Sequence, residues 1–515
     1  MKLPSVMKHD FSKAPHANIQ RSSFDRSFGY KTTFDAGLLI PIFVDEALPG
    51  DTFNVNMTGF GRLATPLYPL MDNLYLDTFF FAVPNRLLWD NWQKFMGEQE
   101  NPGDSTDYLV PTVSSGVSGF AENSLWDYFG IPTKVPNLTV NALHSRAYNL
   151  IYNEWFRDEN LQDSVTVDKG DGPDSAADYV LRRRGKRHDY FTSCLPWTQK
   201  GDAVSLPLGL SAPVTTDGIG NSTLGVINSN QGSLSGIKTD GSQAQLSGIL
   251  PADFPLYADL TNATAATINQ LREAFQVQRL LERDARGGTR YVEMIKAHFG
   301  VTSPDSRMQR PEYLGGGSAP IQITPVAQTS STDATSPQGN LAAMGTVVAK
   351  GRHGFTKSFT EHCTIIGLAM VRADLNYQQG LNRMWSRQTR YDYYFPVLAH
   401  LGEQSVLNKE IFAQGNSSDE DVFGYQERYA EYRYKPSMVT ARMRSNATGT
   451  LDSWHLSQDF DTLPVLSGAF IQEEPPIDRV IAVPDEPHLI LDCYFNFKAA
   501  RPMPMYSVPG FTDHF

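Results

Sequence analysis

From Leu489 to Lys498 the chain alternates. Leu489, Leu491, Cys493, Phe495 and Phe497 fall on one side, and Asp492, Asn496 and Lys498 on the other. A period of two predicts a strand over 488–498 with one face in a core. Thr364 to Val371 is apolar at nearly every position, which predicts a strand buried on both faces, between layers or against a neighbouring subunit. Ala36 to Val44 and Leu74 to Val83 read the same way. Helical spacing is rarer. Leu88, Trp92, Phe95 and Met96 share a face that Gly97 ends, and Leu143, Ala147, Ile151 and Trp155 recur every four residues. A third helix opens on Thr267–Gln270 in a capping-box pattern and runs through Leu271, Phe275 and Leu281 to Gly287 and Gly288. Tyr291, Ile295, His298 and Phe299 make a fourth, closed by Gly300. Core packing is the ordinary use of such aromatic faces.

Two stretches fit neither period. Residues 203–251 carry only Asp217, Lys238 and Asp240 as charges, and residues 315–349, opening on Gly315–Ser318, carry only Asp333. Loops of this length inside a domain are functional or disordered. Strand-like blocks lie on both sides of each, so both read as insertions into one β framework spanning 1–515.

Composition narrows the class. Apolar residues are 41% and charged residues 19%, below the usual quarter, and Gly (40) and Pro (32) are plentiful. This describes a β-rich, loop-heavy chain with much uncharged surface, as where neighbours cover it. The formal net charge is −12, which argues against generic nucleic-acid binding by the whole chain. Residues 1–31 differ: Lys2, Lys8, Lys13, Arg21, Arg26 and Lys31 face only Asp10 and Asp25. A basic arm on an acidic body suggests that one face meets a polyanion. Cys194, Cys363 and Cys493 are too scattered for a disulfide framework or a zinc site, so a reducing compartment is expected. Neither a signal-peptide core nor a membrane-length apolar run is present in the sequence.

Catalytic patterns are weak. Gly59–Ala64 loosely fits a dinucleotide fingerprint, but Pro66 and Pro69 forbid the helix it must open. The acids Asp419–Asp421, Glu473–Glu474 and Asp485–Glu486 sit in turn-like contexts and read as solvated. His353, Glu361 and His362 lack a recognised metal-ligand spacing. No catalytic residue, metal or cofactor is assigned. The densest charge is Arg182, Arg183, Arg184, Lys186 and Arg187, which reads either as a loop or carboxylate socket or as a phosphate-binding patch. Arg387 and Arg390 beside Tyr391, Tyr393 and Tyr394 form a second candidate, since aromatic faces stack on unpaired bases; core or interface packing is the plainer use.

Wording at both ends adds a resemblance. The run Arg21–Phe34, Leu39–Asp51, Arg62–Pro66, Met71–Phe81 and Pro84–Trp89 resembles the major capsid protein of the microviruses, small single-stranded DNA bacteriophages, in their gokushovirus branch. So do Glu98–Gly103, Asp284–Arg290, His298–Asp305, Gln309–Gly315, Tyr377–Gly380, Phe423–Glu427, Leu451–His455 and Arg501–Gly510. The resemblance implies a mainly β subunit: an eight-stranded antiparallel jelly roll with long loop insertions and a few short helices. It further implies sixty copies in an icosahedral virion shell around circular single-stranded DNA, assembled in the bacterial cytoplasm. A small basic packaging protein, a DNA pilot (minor capsid) protein and a host receptor are the implied partners. Residues 203–251 match no family wording.

On that reading the 1–31 arm and the Arg182–Arg187 cluster face the genome. Met503, Met505, Tyr506, Phe511 and Phe515 lie on the body or a neighbouring subunit. The 203–251 insertion projects at a threefold axis. There Leu208, Leu210, Val214, Ile219, Val226 and Ile227 pack between copies, and Asn221, Asn228 and Asn230 meet the host surface. A glycan-binding or glycan-cleaving β-sandwich is the alternative from another class.

Overall fold

The computed structural model describes residues 19–202, 204, 268–302, 309–333 and 337–506, and five short strands between 214 and 258. The chain forms two compact units. One comprises Met1–Thr198, Thr289–Lys296 and Gly300–Phe515; the other comprises Gln199–Gly288 and Ala297–Phe299.

The larger unit is built on ten strands: β1 (Ser22–Asp25), β2 (Phe28–Phe34), β3 (Ile40–Ala47), β4 (Thr52–Leu63), β5 (Leu74–Pro84), β6 (Glu312–Ala327), β7 (Leu341–Ala349), β8 (Gly354–Ser358), β9 (Cys363–Ala373) and β10 (Leu489–Arg501). Hydrogen bonding orders them β1-β10-β4-β7-β6-β5-β9-β3, with β2 also on β10 and β8 also on β4. Every one of these pairings is antiparallel. The sheet curls on itself because β6 serves both halves: Glu312–Ile321 pairs with β5, and Gln322–Ala327 pairs with β7. The result is a jelly-roll sandwich of two four-stranded layers, β2-β10-β4-β7 and β3-β9-β5-β6. Strands β1 and β8 are short additions to it.

Between the layers lies an aromatic core. Phe43 packs 5.3 Å from Phe495 and 5.5 Å from Phe497, centroid to centroid, and Phe53 lies 5.0 Å from Phe497. The alternation expected near the C-terminus is the alternation found, with Leu489, Leu491, Cys493, Phe495, Phe497 and Ala499 buried. Strand β9 is buried throughout. Its second face is covered by a further core in which Phe81, Ile366, Leu368 and Met370 meet Trp89, Trp126 and Tyr148. The helix Leu143–Ile151 lies in that cover and buries Leu143, Ala147 and Ile151, as its spacing predicts; Trp155 follows in a π-helical turn, Tyr152–Phe156. The helices expected from Thr267 and Tyr291 are present as Ile268–Arg286 and Tyr291–Phe299, the latter ended by Gly300 in the left-handed conformation.

Residues 315–349 need correction. They are no insertion: most of them form β6 and β7, in the middle of the framework. The glycines that read as loop are there because three strands, β6, β5 and β8, crowd together. A Cβ at Gly316 would stand 2.0 Å from the Thr78 carbonyl oxygen, and one at Gly315 would stand 2.6 Å from that of Gly354. Glycine in a strand marks close backbone approach as well as flexibility.

Candidate assembly and genome-contact surfaces

The basic residues divide sharply. Lys2, Lys8 and Lys13 lie outside the described residues. The second half of the expected arm is sheet, because β1 and β2 pair with β10. Arg21 donates from Nη2 to Thr52 Oγ1 (3.0 Å). Arg26 pairs with Asp45 (2.5 Å) and sits 4.9 Å from the Phe497 ring centroid. Lys31 lies 3.3 Å from Asp492 on the surface.

The Arg182–Arg187 segment is a strap over the sandwich. Leu39 N–H donates to the Arg182 carbonyl (2.9 Å), and the Arg182 amide donates to Tyr148 Oη (2.9 Å). Arg183 donates to the Ala36 carbonyl (3.0 Å) and approaches Glu474 at 3.1 Å. Arg184 lies 3.5 Å from Asp77, which also accepts from Arg372 Nε (2.8 Å), and stacks over Phe79 at 5.4 Å. Lys186 stands 4.6 Å over the Phe470 ring. Burial draws the pKa of Arg184 and Lys186 down, against the pull of Asp77 and Glu473 respectively. Arg187 is exposed. Three of the five bases, Arg183, Arg184 and Lys186, therefore set their charged groups against partners inside the subunit, Arg182 is held through its backbone, and charge density along the sequence is not charge density on the surface.

The acids read as solvated turns also divide. Glu473 is buried, accepts from the Ala373 amide (3.3 Å), and has its pKa raised by desolvation. Asp485 and Glu486 are exposed. His353 shares a 2.7 Å hydrogen bond with Thr78 Oγ1, Glu361 pairs with Arg86 at 2.8 Å, and His362 packs on Trp92. These three side chains go three separate ways. Gly59–Ala64 lies along β4 and its end, not at a helix start.

Arg387 and Arg390 are held locally. Arg387 reaches Glu431 (3.3 Å) and stacks over Tyr432 at 4.3 Å, and Arg390 lies 4.9 Å over Tyr391. Around them the chain makes short 3-10 turns, Arg383–Ser386, Arg390–Asp392 and Pro396–His400, none of which buries a residue. Trp385 is 72% exposed and Val397 83%, with Tyr393, Tyr394 and Phe395 open beside them. Exposed apolar surface on this scale marks an interaction site. Sequence reading singled out Arg387, Arg390, Tyr391, Tyr393 and Tyr394 here and missed Trp385 and Val397, which stand just outside that cluster.

Met503, Met505 and Tyr506 are exposed, while Phe511 and Phe515 lie outside the described residues. So do Leu208, Leu210, Ile219, Asn221, Asn228 and Asn230 of the insertion. Its backbone carries small β elements. Val214–Thr215 pairs with Tyr257–Ala258, and Gly225–Ile227, containing Val226 and Ile227, joins Ser233–Thr239 and Ala244–Leu246 in a three-stranded sheet.

Comparison with known proteins agrees with this architecture. Residues 12–511 match the family described as "Capsid protein (F protein)". The chain is 52% identical to the capsid protein VP1 of Bdellovibrio phage phiMH2K, covering 99% of this chain and 98% of the relative. It is 48% identical to VP1 of Chlamydia phage 1, at 99% and 98% coverage, and 40% identical to VP1 of Spiroplasma virus 4, at 98% and 97%. With matches of this length joined to a jelly-roll sandwich, the chain belongs to the F-type capsid proteins, the major capsid proteins of the gokushovirus-type microviruses.

Proposed function

We propose that sixty copies of this subunit close an icosahedral shell around circular single-stranded DNA, assembling in the bacterial cytoplasm. The observation that carries the reading, beside family membership, is the apolar surface a lone subunit leaves open, from Trp385 to Val397 and at Met503, Met505 and Tyr506. A closed shell repeats each contact by symmetry, so such surfaces meet partners at every position. Expression of the full chain, followed by sedimentation and electron microscopy, tests this: particles are expected, and a chain that stays monomeric at high concentration refutes it. Deleting residues 501–515 should abolish particles; normal particles from the shortened chain would refute the C-terminal contact.

Genome contact falls to Lys2, Lys8 and Lys13 of the arm, whereas Arg187, the cluster member whose side chain is exposed, belongs to the strap over the β3-β9-β5-β6 layer. An acidic subunit neutralises little phosphate, so a small basic packaging protein is its expected companion, and the family reading adds a DNA pilot protein. Residues 203–251 serve host attachment, with three copies meeting at a threefold axis. Replacing them with a short Gly-Ser linker should allow assembly and abolish adsorption to the host. Undiminished infection would refute that role.

A further inference from the structure

The two layers of the sandwich differ in what lies outside them. The outer face of β3-β9-β5-β6 is largely sealed by the second core, whereas that of β2-β10-β4-β7 is open. Its outward side chains are not uniformly polar: Phe60 is 52% exposed, Tyr494 54% and Ile490 60%. Phe60 stands opposite Asp492, and Tyr494 stands opposite Thr58, so the two rings occupy diagonal positions on adjacent strands. Diagonal neighbours in a sheet lie about 7–8 Å apart. Basic residues frame them. Arg62 is opposite Ile490 and Lys498 opposite Asn54, both across the β4–β10 pair, while Lys31 on β2 is opposite Asp492.

We propose that this open face binds single-stranded nucleic acid, with unpaired bases stacking on Phe60 and Tyr494 and phosphates meeting Arg62, Lys31 and Lys498. The proposal rests on the shell reading and names where on the subunit the genome lies. Three observations favour a polyanion over other occupants. Lys31, Arg62 and Lys498 outnumber Asp25 and Asp492 on this face, although the chain as a whole carries −12. Asn54, Asn56 and Asn496 interrupt the apolar positions, which suits a wet, hydrogen-bonding contact and not a dry seam between two copies. The first eighteen residues, with Lys2, Lys8 and Lys13, lead into β1 on the edge of this same layer. A sheet presenting aromatic rings between basic residues is a general platform for single strands, tolerant of sequence because every base has a stacking face.

The test uses the full chain and a fluorescein-labelled oligothymidylate of roughly 12 nucleotides, followed by anisotropy at about 50 and 200 mM salt. Phe60→Ala with Tyr494→Ala should weaken binding at least about tenfold, while Tyr494→Phe alone should bind as the native chain does. Arg62→Gln with Lys498→Gln should flatten the salt dependence of log affinity by about 1–2. In assembled particles, ultraviolet crosslinking should join DNA to peptides containing Phe60 or Tyr494. Native-like binding by the double alanine variant, or crosslinks confined to other surfaces, overturns the proposal. So does a face whose variants lose oligolysine in place of oligothymidylate, since that would identify a basic protein as its occupant. Failure of the native chain to form particles would instead overturn the shell reading.

Discussion

Strands β9 and β10 are both central, both apolar and both paired on two sides, yet they live in different surroundings. Strand β9 is buried at all eleven positions, because the segment between Asn85 and Arg187 folds back over its outer face. Strand β10 is buried only at every second position until its end, because its outer face is open to whatever the subunit meets. One layer has thus given its second face to the packing of the subunit, and the other leaves it exposed. The difference is that an outward apolar residue is packed inside the subunit on one layer and left exposed on the other.

The hardest blow to that contrast would fall on the covered layer. Phe81→Ala removes a ring packed within 5.8 Å of Phe156 and 5.5 Å of Trp155, centroid to centroid, and should cost about 3–5 kcal/mol in denaturant unfolding of the unassembled subunit. A loss near zero would mean the cover is not packed. Next comes the seam where β6 crowds β5 and β8. Gly316→Ala drives a methyl group into the Thr78 carbonyl and should cost about 1–3 kcal/mol, read as a lower melting temperature; no change would show the crowding to be soft.

A smaller effect comes from His353 at the same seam. Burial holds its pKa below the ordinary 6.5, with Asp77 opposing. The folded chain therefore keeps this ring neutral where the unfolded chain would protonate it. Its contribution to stability is complete above 6.5, declines as pH falls below 6.5, and stops declining once the folded ring itself protonates. Melting curves between about pH 7.5 and 5.5 should show that decline, and His353→Gln should lessen it. The smallest expected effect is on the open layer. Phe60→Ala should change subunit stability by no more than about 0.5 kcal/mol. A cost matching that of Phe81→Ala would erase the distinction between the layers.

Much of the framework was legible because burial on one face writes a period into the sequence. Leu489 to Phe497 announced a one-sided strand, and Thr364 to Val371 a two-sided one. Legibility failed where the deciding partner is remote. Gly315–Gly317 look like loop residues until the Thr78 and Gly354 carbonyls arrive beside them. Arg184 looks like a surface base until Asp77, more than one hundred positions earlier, is found next to it. Glu473 reads as a turn acid, and only the fold brings the Ala373 amide to it. The open layer was half legible: Ile490 and Tyr494 interrupt the polar side of the β10 alternation, but nothing local says that this side is uncovered.

The placement of β10 also sets a clock. It fills the gap between β2 and β4, and the Phe497 amide donates to Ser27 Oγ across a separation of 470 residues. At about 5–20 residues per second, a ribosome needs roughly 25–95 s to travel that distance. Throughout that interval β2 has been made and has no strand to join, and β4 presents a bare edge of unpaired amides and carbonyls. The open layer thus stays incomplete until translation is nearly over. Until β10 arrives, the bare β4 edge of a nascent chain is open to pairing with another chain, and only the last stretch of synthesis closes it.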